Sequence, residues 1–150
     1  MTVILLDTYV VGTPRPKGSL KSYGKGRMVE SIEGSPDWRR AVAETSHIAI
    51  KETEDGGLRV GYPFDGPVVV NVRLFFKKPV SAPKNREILP STRATGDSDK
   101  HARNIFDALQ DAGVIKDDAQ IVDHWVSKRY CRQGQVPGAQ ILVVSAVPDN

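Results

Sequence analysis

The sequence predicts one α+β domain: a mixed β-sheet with two helices packed on it. Three observations carry this expectation. The hydrophobic periodicities run in the order strand, hairpin, helix, strand, long loop, helix, strand, strand, and sheet-forming runs interleaved with amphipathic helices bury one face of the sheet under the helices. The length of 150 residues supports one hydrophobic core and is too short for two comfortable domains. The composition, 39% hydrophobic and 26% charged, is that of an ordinary globular chain.

The first expected strand is Thr2 to Val11, rich in Val, Ile and Leu and interrupted by Asp7. It ends at Gly12-Thr-Pro-Arg-Pro-Lys-Gly-Ser19, where two prolines and two glycines forbid regular structure and offer Arg15 and Lys17 on a restrained backbone. Leu20 to Ile32 reads as two short strands around a glycine turn, with Lys21, Lys25 and Arg27 along the tip. Ser35-Pro36 starts a helix, serine as cap and proline at the first helical position. Trp38, Ala41, Val42, Thr45, Ile48 and Ala49 keep helical period through about residue 52. His47 has no partner histidine at metal-ligand spacing and reads as an exposed or core-edge residue. Thr53 to Phe64 is loop.

Pro67 to Phe76 is a strand rich in Val and Phe, stopped by Lys77-Lys78-Pro79. Val80 to Gly96 has two prolines and no periodicity, and reads as a mobile basic arm carrying Lys84, Arg86 and Arg93. In the second helix Ala102, Ile105, Phe106, Leu109 and Ala112 form the apolar stripe, with Asp99 as the N-cap and Gly113 at the left-handed stop. Ala119 to Cys131 is a strand with Trp125 and Tyr130, on which His124 reads as a surface residue. Gly134 and Pro137-Gly138 turn the chain, and Ala139 to Val147 is the last strand. Cys131 is the single cysteine, which excludes an internal disulfide and a cysteine-cluster zinc site. No apolar run reaches the length of a membrane span, and the N-terminal residues lack the basic start and apolar length of a secretory signal. These features predict a protein of a reducing cytoplasm.

The chemistry gathers between Gly96 and Asp123. Asp97 and Asp99, two residues apart in extended backbone, point the same way. Asp117 and Asp118 follow the helix just after Val114 and Ile115 re-enter the core, so a short antiparallel path would return them toward Asp97 and Asp99. Carboxylates brought together repel one another unless a cation sits between them. Oxygen ligands suit Mg²⁺ or Mn²⁺, either of which activates water and polarises a phosphoryl oxygen. The plainer reading makes Asp99 a helix cap, Asp107 and Asp111 solvated face residues, and Asp117-Asp118 an ordinary turn. Arg103 lies four residues from both Asp99 and Asp107, in one stripe beside the apolar face. The net charge is only +3, but eight basic residues between Arg73 and Arg103 face three acidic ones. Positive charge just upstream of a carboxylate site suits a polyanionic substrate.

The run D-S-D-K-H-A-R-N-I-F-D-A-L-Q-D-A-G-V-I-K-D-D-A-Q-I-V-D, Asp97 to Asp123, resembles the signature of the RusA family of Holliday junction resolvases of bacteria and phages. That signature has D-x-D, a basic residue four positions on, an F-D-A-L-type helix and D-D-x-Q-[IV]-V-D. The resemblance implies a Mg²⁺-dependent endodeoxyribonuclease acting on four-way junctions or other branched DNA in recombination and repair. By the same resemblance the protein is a homodimer in a bacterial cell or phage-infected host. Asp97, Asp99 and Asp118 fall on the family's metal-binding catalytic aspartates, and Asp117 is a further metal or outer-sphere candidate. Arg103 falls where the family usually has lysine, and Lys100 where it commonly has asparagine. Arginine cannot readily give up a proton, so its expected role is electrostatic. Arg15, Lys17, Lys84, Arg86, Arg93 and Lys100 are the expected DNA contacts, and the 80–96 arm is expected to order on nucleic acid. A junction has approximate two-fold symmetry and is cut in two opposed strands, which suits an isologous dimer. Two other readings of the same residues are a DNA-binding module without chemistry and a phosphoesterase for small nucleotides.

Overall fold

The computed structural model describes residues 2–18, 20–22, 28–30, 33–57 and 60–147. Its elements are β1 (Ile4–Val11), β2 (Leu20–Ser22), β3 (Met28–Glu30), α1 (Ser35–Asp55), β4 (Val68–Phe76), α2 (Ser98–Asp111), β5 (Ile121–Tyr130) and β6 (Gly138–Ser145). One four-stranded sheet has the order β1-β6-β4-β5. β4 runs parallel to β5 and antiparallel to β6, which is itself antiparallel to β1, so the sheet is mixed as expected. β2 and β3 form the expected hairpin. Lys21 lies on β2, and the expected basic tip at Lys25 and Arg27 lies outside the described residues.

Alternation in β4 places Val68, Val70, Val72, Leu74 and Phe76 in the core, because successive side chains of a strand point to opposite faces. They meet Leu5, Leu6 and Val10 of β1, Ala139, Ile141 and Val143 of β6, and one face of each helix. From α1 that face is Trp38, Val42 and Ile50; from α2 it is Ile105, Ala108 and Leu109. No helix among the described residues is long and apolar enough to cross a membrane.

Three expectations for α1 need correction. The residue before the helix is Gly34, at φ 79°, and Ser35 is already helical and fully buried. The helix runs to Asp55, three residues beyond the expected end. Ile48 is exposed, and Ser46 and Ile50 turn inward in its place. His47 is exposed, with Nδ1 3.1 Å from the Ala112 carbonyl oxygen. At the end of α2 the expected glycine stop is present: Gly113 takes φ 78°. The Gly113 and Val114 N–H groups donate to the Gln110 and Leu109 carbonyls, each at 3.0 Å, the paired bonds of a Schellman closure. Val114 and Ile115 then pass beside Phe64, where the Phe64 N–H donates to the Val114 carbonyl at 2.9 Å.

Candidate active site

Asp97 is the residue on which α2 starts. Its backbone is extended (φ −79°, ψ 136°) and its carbonyl accepts the His101 N–H at 3.0 Å, while its side chain makes no capping bond. Asp99 is inside the first turn. This corrects the expected geometry: Asp97, not Asp99, holds the N-cap position, and the helix begins one residue after Asp97, so the pair is not held like alternate residues of a strand. Both carboxylates are exposed at the positive end of the helix dipole, which favours negative charge. The Lys100 ammonium lies 3.6 Å from Asp97. Asp99 makes no hydrogen bond or ion pair among the described residues. Ser91, Thr92, Arg93 and Lys128 join Asp97 and Asp99 around a cavity of about 360 Å³.

Buried polar groups fix the chain just ahead of Asp97. Thr95 is buried on a short 3-10 turn (Arg93–Thr95), and its hydroxyl donates to the Pro90 carbonyl at 2.8 Å. His101, fully buried in α2, lies with Nε2 2.5 Å from the Thr95 carbonyl oxygen and its ring edge-on to Phe76. Burial pushes its pKa down, and the Lys128 charge adds to this; the Thr95 carbonyl and Asp97 oppose them. The ring is therefore neutral, with Nε2–H donating to Thr95. From β5, Lys128 Nζ donates to the Gly96 carbonyl at 2.7 Å and lies 3.2 Å from the Thr95 hydroxyl. Gly96 takes φ 84°, and a Cβ there would lie 2.7 Å from Pro16 Cγ and 3.1 Å from His101 Nε2, so glycine is required on both counts.

Asn104, also buried in α2, ties the basic loop to the helices: its amide donates to the Arg15 carbonyl at 2.9 Å and to the Ser35 hydroxyl at 3.1 Å. Arg15 itself is exposed. Lys17 donates to the Lys100 carbonyl through its N–H at 3.1 Å, and its ammonium is 2.6 Å from Asp107. Arg39 of α1 pairs with Asp111 at 2.7 Å and reaches Asp107 at 3.7 Å. Asp107 and Asp111, expected to be solvated, are thus ion-paired across the α1–α2 interface. Arg103 is exposed and makes no ion pair among the described residues.

Asp118 lies on a second 3-10 turn (Asp118–Gln120) capped by Asp117, whose Oδ1 accepts the Ala119 N–H at 2.8 Å. Gln120 locks this turn: its Oε1 accepts from the Asp117 N–H at 2.9 Å, and its amide donates to the Phe64 and Gly66 carbonyls at 2.7 and 2.8 Å. The Asp118 N–H donates to Gln110 Oε1 at 3.1 Å. The Asp118 carboxyl is pushed above its ordinary pKa, first by a hydrogen bond with the Asp117 carboxyl, then by partial burial and by the charges of Asp117 and Asp107.

Gln110 lies eleven residues along α2 from Asp99, about 16 Å at 1.5 Å per residue. Asp118 is therefore at the opposite end of the helix from Asp97 and Asp99, and no three acidic, histidine or cysteine side chains form a metal-binding group among the described residues. The expected return of Asp118 to Asp97 and Asp99 does not occur within one chain. The Schellman closure and the Gln110 and Gln120 bonds hold it at the C-terminal end. What remains is a pair of exposed carboxylates at each end of α2, Asp97 with Asp99 at one and Asp117 with Asp118 at the other. Both consist of exposed oxygen donors, the set a hard divalent cation prefers.

Of the expected DNA contacts, Arg93 and Lys100 stand beside Asp97, and Arg15 is on the neighbouring loop. Lys84 and Arg86 line a separate groove with Lys77, Arg129 and Arg132. His101, Asn104, Thr95, Lys128, Gln110 and Gln120 were not foreseen, since a lone polar residue in a periodic run carries no signal of the partner it will meet. Residues 9–143 match the family described as Endodeoxyribonuclease RusA. No curated protein matches the chain.

Proposed function

The chain belongs to the RusA endodeoxyribonuclease family, and from that premise we propose that it is a divalent-metal-dependent, structure-specific enzyme. In this reading it resolves Holliday junctions and other branched DNA during recombination and repair, as a homodimer in the cytoplasm of a bacterial or phage-infected cell. The observation that carries this reading is the pair of carboxylate half-sites at opposite ends of α2. Asp97 and Asp99 are exposed, and the Asp97 side chain makes no capping bond. Asp118 is crowded by Asp117 and Asp107 in a way that a cation would relieve. Apposing two copies about a two-fold axis, with their α2–β5 units antiparallel, sets the Asp118 end of one against the Asp97–Asp99 end of the other. β5 is an edge strand with Val122 and Trp125 63% and 67% exposed, and a second copy would cover apolar surface there.

Asp97 and Asp99, with Asp118 of the partner subunit, would hold Mg²⁺ or Mn²⁺. What a bound ion supplies at that point is polarisation of a phosphoryl oxygen and a water acidic enough to act as hydroxide at neutral pH. Hydrolysis joins the water oxygen to phosphorus and breaks the bond to one deoxyribose oxygen, which leaves with a proton. Arg103 and Lys100 place positive charge beside the phosphate, where it stabilises the charge that develops. His101, Thr95 and Lys128 hold the Gly96–Asp97 turn still, so the carboxylates need no reorganisation.

Asp97→Asn and Asp118→Asn should each abolish Mg²⁺-dependent nicking of a synthetic four-way junction. Junction binding should persist or tighten, because a negative charge near phosphate is removed. Normal cutting by either variant would overturn the assignment.

A further inference from the structure

β4 and β5 run in parallel register to their ends, Phe76 opposite Tyr130. Beyond this rim the chain continues as Lys77-Lys78 on one side and Arg132 on the other, and the irregular segment after β4 brings Lys84 and Arg86 over it. With Arg129 these side chains line a groove of about 1170 Å³. None of the six cations is in an ion pair among the described residues. Among the described residues Glu87 is the one acidic residue in the lining. Six positive charges against one negative leave +5 in this groove, more than the net +3 of the whole chain. Such crowding repels itself, and a polyanion relieves it.

Shared lining residues link the groove to the cavity at the carboxylates. Arg129 also lines a cavity shared with Ser98 and Lys128, and Lys128 lines the cavity that holds Asp97 and Asp99. The path from Lys128 on β5 to Arg132, two residues beyond its end and past the Cys131 N–H that still bonds the Phe76 carbonyl, is about 13 Å at strand rise. At one charge per 3.4 Å along each strand of a duplex, that length faces about four phosphates.

We propose that this groove binds the sugar–phosphate backbone of one duplex arm of the DNA, as the continuation of the strand whose phosphate lies at Asp97 and Asp99. That the polyanion is DNA rests on the nuclease reading; that the groove is a polyanion site does not. Three of its cations, Arg86, Arg129 and Arg132, are exposed, so replacing them leaves the core intact, and thermal melting checks this.

The test is junction affinity across a salt series, with Ca²⁺ in place of Mg²⁺ to prevent cutting. For the Arg86→Ala/Arg129→Ala/Arg132→Ala protein, the slope of log affinity against log salt should shrink by about 0.9 per lost phosphate contact, about 2.7 in all. Affinity near physiological salt should fall on the order of 10–100-fold. The corresponding triple lysine variant should keep the slope, and Lys51→Ala, on the outer surface of α1, should leave slope and affinity unchanged. An unaltered slope in the triple alanine variant, or an equal loss per charge from Lys51→Ala, overturns the groove while leaving the nuclease reading intact. A wild-type protein whose steep slope depends on these arginines, but which never nicks a junction, supports the groove and overturns the nuclease reading.

Discussion

His101 shows how a single buried side chain sets the geometry of the residues beside it. Its pKa is lowered chiefly by burial, so the unfolded chain takes up a proton at a higher pH than the native one. Stability from this group is present above its ordinary value of 6.5 and is lost as pH falls from there toward the lower native pKa. The melting temperature should decline over that window more steeply in the wild type than in His101→Gln, which keeps a donor for the Thr95 carbonyl but does not titrate. Parallel curves would remove His101 from the account. The role was not legible in the sequence: a histidine two residues past Asp99 reads as one more polar residue near a helix start. Its partners Thr95, Phe76 and Lys128 arrive from a turn and two strands.

At the scale of elements, α2 combines two duties that the sequence announced unequally. Its apolar stripe follows the period of Ala102, Ile105 and Leu109, a local pattern that any helix must show if one face is buried. Asn104 shares that buried face, yet no periodicity marks it. Asn104→Leu would leave the Arg15 carbonyl and the Ser35 hydroxyl without this donor. It should cost about 1–3 kcal/mol, read as a lower melting temperature, and loosen the Arg15–Lys17 loop against α2. An unchanged melting temperature would show that the loop is held elsewhere. Strand β4 was legible because alternation is local and its register is enforced by burial. The starts of both helices were misread for one shared reason. Ser35 and Asp99 have the right chemistry for a cap, but the residues ahead of them, Gly34 and Asp97, hold the non-helical backbone.

At the scale of the molecule, the distance between the two carboxylate half-sites makes the assembly testable by mixing. Combine Asp97→Asn protein with Asp118→Asn protein, each inactive alone. If each site draws on both subunits, every mixed dimer contains one site with both lesions and one with neither. Random exchange should then restore roughly a quarter of wild-type nicking, as single nicks and not paired cuts. If each chain builds its own site, every site carries one lesion and mixing restores nothing. A persistently inactive mixture, with subunit exchange verified, would rule out the shared site.

The sequence alone determined which chemical groups this protein has and the order of its elements. Residue types, a period of two or of helical spacing, and a glycine needed at a left-handed position are all local facts, enforced by backbone geometry. Only the tertiary structure decided where those groups meet. It paired Lys17 with Asp107, buried Asn104 against the distant Arg15 carbonyl and His101 against Phe76, and held Asp118 at the far end of α2 from Asp97 and Asp99. Contacts between residues remote in the chain depend on how the helices and sheet pack, and no spacing along the chain encodes that distance.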